Sequence, residues 1–300
     1  MFSQPRMLFT QLMLVLTLGL AACSTPFGPR ATPTLAAPTP TSVPATPTPP
    51  PLAAIVNGEY ITKAEFDAEL DRYRDAQTAL GKTVTDADAR QTVLDDLVAQ
   101  VLLAQGARRA GFELSESELQ SRADALAAEI GGEAALSQWK SDHAYTDAEF
   151  LVALKRSAEA ARMRDKIVAD VPLVAEQVHI QQILAYNEDD AQRVLEQLKA
   201  GADFDELAGS PFFDPETRGE LGWVPRGYLL DKNIEEAAFN LQVGAYSDVI
   251  ATPAGFHIIR VLERDPQHRL SPDALLTLQA QALRDWLDQE RANSEINLAP

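Results

Sequence analysis

The sequence predicts an α+β protein: a helical N-terminal domain completed by a C-terminal helix, with a four-stranded antiparallel sheet module flanked by helices between them. Three observations predict it. Between residues 53 and 172, three Ser/Thr-x-x-Glu boxes each open apolar residues at helical spacing. Between 175 and 265, short β-type segments alternate with helical ones and are punctuated by glycine. Between 270 and 296, Ser271-Pro272 supplies an N-cap and a proline at the first helical position, ahead of one more apolar stripe.

Residues 1–22 read as an export signal. Arg6 gives a positive start, and Leu8 to Leu20 is an apolar run too short to span a bilayer comfortably. It ends at Leu20-Ala21-Ala22-Cys23, which resembles the lipobox cleaved just before the lipid-modified cysteine of bacterial lipoproteins. Cys23 is the single cysteine, so no intrachain disulfide can form. The lipobox resemblance makes Cys23 a lipid attachment point; a cleaved signal with an incidental cysteine is the other reading.

Residues 23–52 form a linker. Ten of the 19 prolines fall between Pro26 and Pro51, interleaved with Thr and Ala, with Arg30 as the one charge. Such a stretch cannot bury a core and favours extended polyproline II, which reaches about 85 Å over 28 residues. The net charge of −18 excludes the basic footprint that nucleic acid requires. It equally disfavours electrostatic adhesion to anionic lipid, which leaves membrane attachment to the lipid on Cys23.

In the helical domain, Ala53 to Val56 and Tyr60-Ile61 read as short strands around an Asn57-Gly58 turn. Thr62 with Glu65 forms the first capping box, ahead of Phe66, Leu70, Tyr73 and Leu80. Val93 to Leu102 gives a dense helical face ending near Gly106 or Gly111. Ser115 with Glu118 opens the stripe Leu119, Ala123, Leu126 and Ile130, stopped by Gly131-Gly132. Thr146 with Glu149 opens the last, from Phe150 to Ile167. The C-terminal helix carries Leu275, Leu283, Trp286 and Leu287, an apolar face that needs a partner, and is expected to pack on the helices of 62–170.

In the module, Glu176 to Tyr186 is a strand, Asp189 to Ala200 a helix stopped by Gly201, and Asp203 to Leu207 a short helix. Leu221 to Val224 is a strand, Asp231 to Leu241 a helix, and Tyr246 to Ala251 and Phe256 to Glu263 the last strands. No metal-ligand spacing, phosphate loop or nucleophile motif occurs, so no cofactor or metal is expected.

Gln182-Ile183-Leu184, Gly219-Glu220-Leu221-Gly222-Trp223, Ala237-Ala238-Phe239 and Gly255-Phe256-His257-Ile258-Ile259-Arg260 stand in the order and spacing of the parvulin family of peptidyl-prolyl isomerases, which this segment resembles. Val56-Asn57-Gly58-Glu59 with Ile61-Thr62 and Glu65-Phe66 is similar to the start of SurA/PrsA-type extracytoplasmic foldases, where a helical domain and a C-terminal helix flank a parvulin insert. The resemblance implies a proline pocket at Leu221, Leu229 and Ile234, which also fit ordinary core positions. It implies a catalytic histidine at His257. Thr252 matches a hydroxyl that bonds the family's histidine pair, and fits a turn residue equally well. Asp214 corresponds to a polar residue beside the rotating bond, or caps the turn at Pro215.

This chain departs from the family at the first histidine, whose place is held by Gln182. His179 lies three residues earlier, and period-2 alternation sends it to the opposite face. Gln182 can still donate and accept hydrogen bonds. The basic cluster of phosphate-directed parvulins is absent. The resemblance therefore implies a membrane-anchored, extracytoplasmic isomerase acting on unfolded exported polypeptides with X-Pro bonds. The alternative is a holdase-type chaperone whose parvulin-like module has little or no isomerase activity.

Overall fold

A computed structural model describes residues 51–299 apart from 144 and 211–212; the export signal, Cys23 and most of the linker lie outside the described residues. The described residues form one compact unit. Strands β1 (Leu52–Val56) and β2 (Glu59–Thr62) make the expected hairpin, with Asn57 and Gly58 both at positive φ (50° and 84°) as a tight two-residue turn requires. Helices α1 (Lys63–Ala79), α2 (Asp86–Arg109), α3 (Glu116–Ile130), α4 (Glu133–Asp142) and α5 (Asp147–Ala169) follow.

The boxes at Ser115/Glu118 and Thr146/Glu149 are reciprocal, as expected. The one at Thr62 is half formed. Thr62 accepts from the Glu65 N–H at 3.1 Å, but the Glu65 carboxylate turns instead to Arg156 on α5, 2.5 Å away. Burial raises the Glu65 pKa against the pull of Arg156. Leu80 is a second correction: α1 ends at Ala79 and Leu80 is exposed. Helix α4 was not anticipated, because Gly131-Gly132 reads as a stop; Gly132 serves as its N-cap.

Val93, Leu97, Val101 and Leu102 of α2 form the domain core with Phe66 and Leu70 of α1 and with Val56 and Ile61 of the hairpin. Helix α9 (Pro272–Ala292) returns to this domain as expected. Its Leu283, Trp286 and Leu287 pack with Leu103 and Ala104 of α2 and with Ala160 and Ile167 of α5. Gly106 inside α2 makes room for the indole: a Cβ there would stand 2.6 Å from Trp286 Cζ2. A last strand, β7 (Ile296–Leu298), joins β1 to give the order β2-β1-β7.

Between α5 and α9 lies the sheet module: β3 (Val174–Ala185), α6 (Glu188–Lys199), α7 (Phe204–Ala208), β4 (Glu220–Pro225), α8 (Lys232–Asn240), β5 (Ile250–Thr252) and β6 (Gly255–Arg269). Its four strands are antiparallel in the order β4-β3-β6-β5. One face carries Val178, Ile180, Ile259 and Val261 under α8; the other carries Ile183 and Ile258 under α6 and α7. Two strand limits differ from expectation. The Tyr246–Ala251 strand shrinks to β5, with Tyr246 making a single bridge to Arg260. Strand β6 runs on to Arg269, because its polar second half pairs with Val174–Gln177 and needs no buried face.

Candidate functional site

The polar centre arises where β3 and β6 run side by side. Leu184 lies opposite His257 and Gln182 opposite Ile259, so Gln182 and His257 are diagonal neighbours on one face. His257 is 6 % exposed. Its Nδ1 meets Gln182 Oε1 at 3.0 Å, and its Nε2 meets Thr252 Oγ1 at 3.0 Å. An Nδ1–H donating to the glutamine carbonyl leaves Nε2 to accept from the threonine hydroxyl, which itself accepts from the Ala254 N–H at 3.1 Å. The chain of donors is consistent with a neutral ring. Burial pushes the His257 pKa down, opposed by the negative charge of Asp231.

Asp231 is the member that sequence reasoning missed. The sequence pattern makes it the first residue of a helix; in the structure it is the N-cap of α8, accepting from the N–H groups of Asn233 and Ile234. An Asp at the boundary of a helical stripe is a legible capping signal. That this cap lies close enough to influence His257 is a tertiary fact.

The apolar residues divide. Ile234 is 8 % exposed, and Leu229 packs half-buried against the same cluster as Ile180 and Ile259. That cluster continues along β3 and β6 into Gln182 and His257. Leu221 is 39 % exposed and stands outside it. The register of β3 and β4 slips between Ile180/Gly222 and Gln181/Glu220, leaving Leu221 as the extra residue of a bulge.

Asp214 caps its own loop. Its Oδ1 accepts from the N–H groups of Glu216 and Thr217, and its Oδ2 from Gly219 N–H and the Thr217 hydroxyl. These donors hold its carboxyl below the ordinary range. The contact with the site is indirect: Gly219 accepts from Gln182 N–H at 2.8 Å, so close that a Cβ there would stand 1.8 Å from the Gln182 carbonyl oxygen. The geometry thus favours the turn-capping reading of Asp214.

His179 does face the other way. It bonds Glu220 at 2.7 Å and stacks on Trp223, which also stacks on His268. On that face Gln181 ties α7 to the sheet through Asp205 and Arg260. No group of three or more metal-ligating side chains occurs among the described residues.

Residues 176–263 match the PPIC-type PPIASE domain, and residues 43–131 match the SurA-like N-terminal domain. The chain is 28% identical over 240 residues to the foldase protein PrsA of Caldanaerobacter subterraneus subsp. tengcongensis, covering 70% of this chain and 72% of that protein. With the foldase protein PrsA of Halalkalibacterium halodurans it shares 29% over 271 residues, 79% of this chain and 75% of the relative. The periplasmic chaperone PpiD of Haemophilus influenzae is 40% identical over 92 residues, 30% of this chain and 15% of PpiD. The chain therefore joins a SurA-like N-terminal domain to a PPIC-type peptidyl-prolyl isomerase domain, as a relative of the PrsA foldases.

Proposed function

We propose that this protein is an extracytoplasmic peptidyl-prolyl cis–trans isomerase that assists the folding of exported polypeptides and is held at the outer face of the cell membrane by lipid on Cys23. Rotation about an X-Pro bond breaks no covalent bond; the barrier of about 18–20 kcal/mol comes from amide resonance. Water stabilises the charge-separated planar amide, so an apolar cup that takes the proline ring out of water weakens that resonance. Leu229 and Ile234 supply the cup, with Leu221 on the bulge as an exposed lip. Interactions stronger in the twisted state than in the planar one then lower the barrier.

The observation that carries this reading is the chain Gln182–His257–Thr252 on the sheet face that also holds the apolar cluster. Gln182 uses its carbonyl on His257, and its amide N–H groups are available to a client carbonyl. His257 and Thr252 fix the orientation of that amide. Gln182 takes the place of a ring and keeps a hydrogen-bonding partner for His257.

The holdase reading has its own support. A cleft of about 520 Å³ opens in the helical domain between β2, α1 and α5, lined by Tyr60, Tyr145, Val152 and four alanines. A refolding assay on a client limited by a prolyl bond separates the two. An isomerase shortens the slow phase, which otherwise takes tens of seconds or longer. A holdase suppresses aggregation while leaving that phase unchanged.

A further inference from the structure

The loop between β4 and α8 carries Tyr228 and Leu229 into the apolar cluster of the site. It lies beyond the β3–β4 ladder, which ends at Pro225. Contacts within the module hold it from one side. The Tyr228 N–H donates to the Pro225 carbonyl at 3.3 Å, and the Gly227 N–H to Glu235 Oε2 of α8 at 2.7 Å. Arg226 lies over the Phe239 ring of α8, 4.0 Å from its centroid. Asp231 closes the loop as the N-cap of α8.

A further support comes from outside the module. At Gly227 the turn meets α9, the helix that completes the helical domain: a Cβ there would stand 2.7 Å from Gln281 Oε1 and 3.3 Å from Leu278 Cδ2. Gly227 has a φ of 81°, which glycine adopts without strain, so the chain turns without a side chain at the point of contact. Helix α9 is itself held in place here. Gln279 donates to the Val168 carbonyl of α5 at 3.3 Å, and Leu283 and Trp286 pack into the core with α2 and α5. Leu278 and Gln281 therefore form a fixed seat for the turn. Gly227 precedes Leu229 by two residues. Two residues span at most about 7 Å, so a shift of the turn reaches Leu229 with little chain to absorb it.

We propose that Leu278 and Gln281 of α9 are positioning residues for the proline cup: they act through the Gly227 turn to hold Leu229 in place, so the affinity of the site for X-Pro segments is set in part from the helical domain. This rests on the isomerase reading. Helix α9 then serves two surfaces, with Leu283 and Trp286 in the helical core and Leu278 and Gln281 against the module. A ring held in the cup is held in the planar and the twisted states alike. A displaced Leu229 weakens both, which raises KM and leaves kcat nearly unchanged.

The test measures kcat and KM for an Xaa-Pro peptide with the full chain. Leu278→Ala combined with Gln281→Ala is expected to raise KM by about threefold or more while kcat stays within about twofold. Leu278→Met, which keeps the volume of the seat, retains the wild-type KM. Leu283→Ala separates seating from stability, because it opens the helical core without touching Gly227: it lowers Tm and leaves KM unchanged. Gly227→Ala closes a cycle. Its KM increase shrinks when the seat is already truncated, since its Cβ no longer meets Gln281 and Leu278. An unchanged KM in the truncated seat, an equal rise in Leu283→Ala, or increases that simply multiply in the cycle overturns the proposal. Absence of turnover by the wild type contradicts the isomerase reading instead. Fluorescence anisotropy of the same peptide then decides the seat: weaker binding by the truncated seat and not by Leu283→Ala supports it, and equal affinity or no binding overturns it.

Discussion

His257, seated between the Gln182 carbonyl and the Thr252 hydroxyl, is taken out of water, and that burial lowers its pKa. The unfolded chain, with an ordinary histidine near 6.5, then binds more protons than the folded one as the pH drops below that value. Stability is therefore expected to fall as pH falls from about 6.5 toward the folded pKa, and to be insensitive to His257 above it. Urea midpoints measured from pH 5 to 8 check this: the wild type loses more stability on acidification than His257→Gln, and parallel pH profiles would refute it. At this scale the sequence was informative wherever the partners are sheet neighbours. Gln182, Thr252 and His257 are all legible in the sequence, and the structure brings them together. Asp231 was passed over because its influence on His257 crosses from a helix cap to a strand. Glu65 was misassigned because its partner, Arg156, lies 91 residues away.

Elements were legible where a local signal and a buried face coincide. Ser271 caps α9 as its sequence suggests, Asp203 caps α7 rather than opening it, and α6 has its four apolar residues inward. The polar half of β6 offered no such face; Pro266 falls in its register irregularity opposite the start of β3, where a missing N–H is tolerated. Helix α9 shows the same logic between elements. Its apolar stripe demanded a partner, but the means of docking, a glycine in the last turn of α2 receiving Trp286, required the structure. Gly106→Val fills that seat and is expected to destabilise the protein by about 1–3 kcal/mol. Thermal unfolding measures the loss, and a Tm equal to that of the wild type would contradict the docking geometry.

At the scale of the molecule, the chain leaves its helical domain through β3, builds the sheet module, and returns through β6 and α9, so the domain core contains residues from both ends. That organisation was readable because two segments far apart in sequence each carried an unpaired apolar face. Among the described residues no helix is long and apolar enough to cross a membrane. With a net charge of −18, attachment by charge to anionic lipid is disfavoured, and the anchor proposed above is lipid on Cys23. Cys23→Ser is expected to move the protein from the membrane fraction to the soluble extracytoplasmic fraction. Retention of the variant in the membrane fraction would count against that anchor.

The central claim is that the apolar cup and the Gln182–His257–Thr252 chain together isomerise X-Pro bonds. The direct measurement is kcat/KM for an Xaa-Pro peptide with the full chain, beside His257→Ala and Leu229→Ala. The account predicts acceleration by the wild type, and a loss of about tenfold or more in each variant, the first by leaving Gln182 without its partner and the second by opening the cup to water. No acceleration by the wild type, or activity unchanged in both variants, would contradict it.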